Sequence, residues 1–150
     1  MDDTISRFDR PLTLTTVLNI VYFVLNVCRG EYDLTRDDVL GEGRFLDSIG
    51  IFPEFVDGYN ILVLPTSGRY FQVPYRCMVC PGITNLLVAG RCVAGDNTSH
   101  AAMRNMMACC VTGQGAGAAA AVSVIDGTTT NKVNILNVQK ELQKQGVRLF

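Results

Sequence analysis

The chain has 150 residues, 48% of them hydrophobic, with 13 basic against 14 acidic side chains and a single histidine. That length and composition suit one domain with an ample core. Charge this balanced, without a basic stripe or an acidic block, argues against a nucleic-acid partner and against a disordered solubiliser.

Met1-Asp2-Asp3 opens the chain without the basic, apolar, small-residue order of a secretory signal. Leu12 to Cys28 then runs seventeen residues without charge. Its Thr13, Thr15, Thr16, Val17, Ile20, Val21, Tyr22, Phe23, Val24 and Val27 are β-branched or aromatic, so a buried strand competes with a helix. The run sits at the short limit for a bilayer span, and a membrane contact is not the expected role. From Arg29 the texture changes. Thr35-Arg36-Asp37-Asp38 predicts a helix N-cap with an acid at the third helical position, and Gly41 and Gly43 limit that helix to a turn or two. Asn60 to Leu64 reads as a short strand closed by the turn cluster Pro65-Thr66-Ser67-Gly68, and Arg69 to Tyr75 alternates sides. A hairpin over 60–75 is expected. Leu86-Leu87-Val88-Ala89 is a continuous apolar run, which suits a strand covered on both faces and ending at Gly90.

Asp96 to His100 reads as a loop between that strand and the next helix, where ligand contacts concentrate. The helix is expected from about Met106 to Ile125, stopped by Asp126-Gly127. Asn105 to Ile125 carries no charge, but its Ala, Gly, Ser, Thr, Asn and Gln residues give little insertion energy. Gly113-x-x-x-Gly117 has helix-dimer spacing, a weak motif outside a strongly apolar segment. A final helix over Asn134 to Gln145 sets Ile135, Val138 and Leu142 on one face, with Gly146 behind it. No internal repeat is visible.

Gly113-Gln114-Gly115-Ala116-Gly117 is not a dinucleotide fingerprint, because that needs G-x-G-x-x-G directly between strand and helix. Its glycines have two physical uses. They allow close helix–sheet packing, and they leave N–H groups unobstructed where a helix opens onto a ligand. Cys77-x-x-Cys80 lacks a second pair at zinc-site spacing, so packing is expected rather than metal. Cys109-Cys110 reads as two buried small residues. The six cysteines as a set read as mostly reduced, in a cytoplasmic protein. His100 is the single histidine, the residue type whose reference pKa lies nearest neutrality, and a loop hydrogen-bonding role stands level with a functional one.

Taken together, residues 29–150 resemble the C-terminal part of an FAD-dependent oxidoreductase family, relatives of the flavin subunit of heterodisulfide reductase. The resemblance runs in order through Gly30-Glu31-Tyr32, Thr35-x-x-Asp38-Val39, Arg44-Phe45-x-Asp47-Ser48-Ile49 and Tyr70-Phe71-x-Val73-Pro74-Tyr75-Arg76-Cys77. It continues through Asn85 to Cys92, His100-Ala101-Ala102-Met103-Arg104, Thr112 to Ala120 and Glu141-Leu142-x-x-x-Gly146. It implies an α/β fold of α+β-like character: the C-terminal part of an FAD-binding Rossmann-like domain with a β-hairpin, lacking the N-terminal dinucleotide-binding half. It implies FAD as cofactor, with Ala89, Gly90, Arg91, His100, Arg104, Gly113, Gln114 and Gly115 as flavin-binding residues, and Gly113 to Gly115 offering amides to the pyrimidine edge. No catalytic residue is assigned. Cys80, Cys109-Cys110 and the absence of a proline in Asn105-Met106-Met107 depart from the family pattern. So does the absence of an N-terminal G-x-G-x-x-G with its downstream acid. Residues 1–28 are expected to be an atypical apolar leader and 29–150 a truncated oxidoreductase domain, whose uncovered sheet calls for a second chain or self-association. A second reading stays open: a non-enzymatic interaction or membrane-associated protein acting through residues 12–28.

Overall fold

The computed structural model describes residues 29–58 and 60–150. The strand-or-helix question at 12–28 and the leader reading of 1–28 lie outside the described residues. Thr35 caps α1 (Arg36–Leu40) through the expected reciprocal box. Its hydroxyl accepts from the Asp38 N–H at 3.2 Å, and the Asp38 carboxylate accepts from the Thr35 N–H at 2.8 Å. Gly41 then closes the helix onto Asp37 O at 2.8 Å.

Two small antiparallel sheets follow: β1 (Ser48–Pro53) pairs with β4 (Tyr70–Pro74), and β2 (Val56–Gly58) with β3 (Ile61–Val63). The hairpin expected over 60–75 is therefore wrong in its partners. Residues 61–63 turn back on 56–58, with Asn60 in the left-handed region at φ 62°, while 70–74 reaches across to 48–53. Pro65 to Gly68 makes a turn, closed by Arg69 N–H to Thr66 O at 3.1 Å, but it joins two sheets. The strand expected at Leu86–Ala89 is reduced to one bridge, Leu87 to Val79, plus Val88 N–H to Met78 O at 2.8 Å. Asn85 at φ 59° and Gly90 at φ 70° bend the backbone out of extension at both ends, so no ladder propagates. Among the described residues, parallel pairing is confined to the bridge between Leu34 and Gly95. The architecture is mixed α and β.

Asp96 to His100 is not a loop. Asp96 caps α2 (Asn97–Met103) by accepting from the Ser99 N–H at 2.8 Å, which puts His100 and its neighbours on a helix. The other carboxylate oxygen of Asp96 accepts from the Arg36 N–H at 2.7 Å, so this side chain stands at the start of α1 as well. α3 (Met106–Ile125) and α4 (Ile135–Lys144) lie where the residue pattern sets them, ended by Asp126-Gly127 and by Gly146 at φ 82°. α3 is, among the described residues, the helix long and apolar enough to cross a bilayer. Here its Ala108, Thr112, Gly115, Ala118, Ala119 and Val122 are buried against the core.

α3 and α4 pack on each other and on β1. The pairing register of β1 with β4 shifts between Ser48 and Gly50, a bulge that sets Ile49 and Gly50 toward the same helix. A Cβ at Gly115 would stand 2.6 Å from Ile49 Cδ1, and one at Gly50 would stand 2.7 Å from Val111 Cγ1. Each element thus carries a glycine under the other's branched side chain. α4 is pinned to the same strand by Gln139, whose amide donates to Leu46 O at 2.8 Å and Ser48 O at 3.0 Å.

Five cysteines among the described residues are free. Cys77 and Cys80 are buried, as the packing reading requires, and the Cys77 thiol donates to Pro74 O at 2.9 Å. Cys109 is half-buried and Cys110 exposed, which corrects the reading of that pair as two buried residues. Both sit near the start of α3, on the side turned away from buried Ala108. Burial, seconded by the Asp47 carboxylate, pushes the Cys77 thiol up to about 12. Burial and the Asp38 carboxylate push the Tyr32 phenol up to about 12 as well.

Two stability measurements follow from these contacts. In urea denaturation, Gly113→Ala and Gly117→Ala each stabilise by about 0.5–1 kcal/mol, since a Cβ there meets nothing within 4 Å and helix propensity rises. Gly115→Ala destabilises by about 1 kcal/mol, because overpacking on Ile49 outweighs the same propensity gain. Across pH, Cys77 and Tyr32 stay protonated in the fold after they have begun to ionise in the unfolded chain. Their contribution is whole below pH 9 and falls as pH rises toward about 12. Urea midpoints should decline across that window, and decline less in Cys77→Ala.

Candidate functional site

α3 opens at Met106, not at its glycines. The expectation that Gly113, Gln114 and Gly115 present free amides at a helix start is corrected: they lie seven to nine residues further on, roughly 10–14 Å along the axis. Their N–H groups belong to the helix interior. Gly115 is buried on Ile49, Gly113 is exposed, and the Gln114 amide donates to Gln145 Oε1 at 3.0 Å, tying α3 to α4.

The junction between α2 and α3 treats its two helix ends unequally. Asn105 precedes α3 but its side chain does not cap it. The Asn105 amide turns back and donates to Ala101 O at 3.1 Å and Ala102 O at 2.8 Å. Arg91 Nε donates to Arg104 O at 3.3 Å, and the Cys109 thiol reaches Met103 O at 3.6 Å. The carbonyl end of α2 is therefore covered. On α3 the first ladder bond is Cys109 N–H to Asn105 O at 2.9 Å, and the amides of Met106, Met107 and Ala108 have no acceptor among the described residues. With no charged residue anywhere in α3, its N-terminal partial positive charge has no local counter-charge in the helix.

Met106 and Met107, which carry two of these amides, line a cavity of about 410 Å³, while Ala108 is buried behind them. Ile51, Phe52 and Phe55 line it from the sheet side, and Met106, Met107 and Val111 from α3. The walls are almost wholly apolar, and both methionines are largely exposed.

Of the residues expected at a flavin, Gly90, Arg91 and Arg104 gather at this junction. Ala89 and Gly90 lead into a short 3-10 turn, Gly90–Cys92, and the Gly90 N–H donates to the Thr112 hydroxyl at 2.9 Å. Arg91 and Arg104 are exposed at their side chains, and His100 lies half-buried on α2. The guanidinium of Arg104 donates to the carbonyl of Asp57 in β2. Sequence reasoning missed Asn105, Met106, Met107 and Thr112. The helix start at Met106 was expected, but the ligand-facing amides were assigned to Gly113–Gly115; an asparagine ahead of a long apolar run is the helix-start signal that points to the amides of Met106 and Met107 instead.

Residues 28–142 match the family model described as FAD dependent oxidoreductase, over most of the chain's length. No curated protein and no solved structure matches. The chain belongs to the FAD dependent oxidoreductase family.

Proposed function

We propose that this chain forms the ring-binding end of an FAD site, with the isoalloxazine held at the opening of α3. The observation that carries the reading is the pair of uncapped amides at Met106 and Met107, residues that line the apolar cavity. The family match supports FAD as the cofactor by resemblance, and a bound flavin supplies hydride uptake and release.

The residues fit such a group. The cavity volume falls within the range of about 300–1,000 Å³ usual for small-molecule sites, and apolar walls suit the faces of a flat ring. Free amides and an unopposed helix dipole favour negative charge at the ring's polar edge. Ile51, Phe52, Phe55 and Val111 exclude water from the reacting face. Thr112 fixes Gly90 against α3, and Gly115 seats the helix on β1. Under this reading Gly113, Gln114 and Gly115 support the site from behind.

Residues 29–150 contain no G-x-G-x-x-G directly between strand and helix. We assign the ADP end of the cofactor, and the Rossmann-like half that would hold it, to a further part of a longer chain or to a second chain. The resemblance to the flavin subunit of heterodisulfide reductase supports an electron-transfer role. The free thiols support a reducing, intracellular setting.

Titration of lumiflavin, which is the ring without its nucleotide tail, should show saturable fluorescence quenching by the protein, and ADP-ribose should not compete. Met107→Glu places a carboxylate at the first turn of α3, which favours the helix and opposes an anionic ring edge. It should weaken lumiflavin about tenfold without lowering the thermal midpoint. No binding of lumiflavin, or full competition by ADP-ribose, overturns the assignment.

A further inference from the structure

The cavity takes its walls from distant parts of the chain. Asn105, Met106 and Met107 come from the start of α3, while Phe55 and Pro65 stand at the two feet of the β2–β3 hairpin. Among the described residues that hairpin pairs with no other strand, and Leu62 and Leu64 at its far side are exposed. Backbone pairing therefore does not fix its distance from α3. One side chain bridges the two walls: Arg104, between α2 and α3, donates from Nη2 to the carbonyl of Asp57 in β2. The neighbouring Gly58 sits at φ 144°, and a Cβ there would come within 3.2 Å of that nitrogen and 3.5 Å of Ala101 Cβ. The guanidinium lies against bare backbone where β2 also packs on α2 and Val56 is buried.

We infer that Arg104 is a positioning residue, a latch that holds the β2–β3 hairpin across the cavity and sets its width. This inference rests on the flavin reading above for its use, and on the Arg104–Asp57 contact for its existence. The arginine acts on the ligand through the hairpin feet, Phe55 and Pro65. A guanidinium suits the task because it presents donors in a fixed plane. Loss of a charge-assisted bond to a carbonyl leaves the feet free to spread.

Hydrogen exchange of 56–63 and lumiflavin titration, run on the same proteins, test both parts. Arg104→Met should raise exchange in 56–63 and weaken lumiflavin, each about tenfold. Arg104→Lys, which still donates to one carbonyl, should recover most of both. Unchanged exchange in Arg104→Met overturns the latch itself. Faster exchange with lumiflavin affinity as in wild type overturns its role in shaping the cavity, as does failure of Arg104→Lys to restore affinity. Wild-type protein that binds no lumiflavin, with exchange still raised in Arg104→Met, overturns the flavin reading and the use given to the latch.

Discussion

Everything in this molecule hangs on how closely α3 can lie on β1. Ile49 fits where Gly115 lacks a side chain, and Val111 fits where Gly50 lacks one. Helix and strand each give up a Cβ to the other, so the approach is fixed from both sides. Interiors packed to crystal-like density do not slide under such constraints. The bulge between Ser48 and Gly50 makes the arrangement possible, because regular alternation would turn one of the two residues away from the helix.

The candidate site inherits its form from that contact. With α3 held on β1, its first turn overhangs the far half of the strand, and the space beneath becomes the cavity lined by Ile51 and Phe52. The small residues that permit the approach also leave α3 without charge, so its amino end keeps its full electrostatic pull. Packing and electrostatics thus share one cause. A helix built from lysines and glutamates could neither sit so near nor present so plain a positive end.

Much of this was legible in the residues. The cap at Thr35, the span of α3 with its stop at Asp126-Gly127, and the span of α4 rest on local side-chain chemistry, and the structure has them where that chemistry says. The family was legible too, because many spaced motifs had to agree. What failed was non-local. Nothing around residue 70 states that its partner is 48–53, and Gly50 and Pro53 obscure the strand pattern of that partner. The apolar run at 86–89 looked like a strand, yet the backbone turns at Asn85 and Gly90 decide otherwise. Asp96 was read as a loop residue because its capping of Ser99 competes on equal terms with turn formation in any short polar stretch. The glycines of α3 were placed at a helix opening since glycine suits both an opening and a close approach, and only Ile49 distinguishes the two.

Asp96 itself carries a consequence for order within the fold. A five-residue helix such as α1 cannot repay the entropy of its own nucleation in water. Its first amide, at Arg36, is met by a carboxylate that α2 has already immobilised through Ser99. The rotational freedom of one side chain is lost once and two helix starts are satisfied. α1 therefore borrows its regularity from a neighbour sixty residues away in sequence, and the two should gain or lose protection together in any partial opening of the molecule.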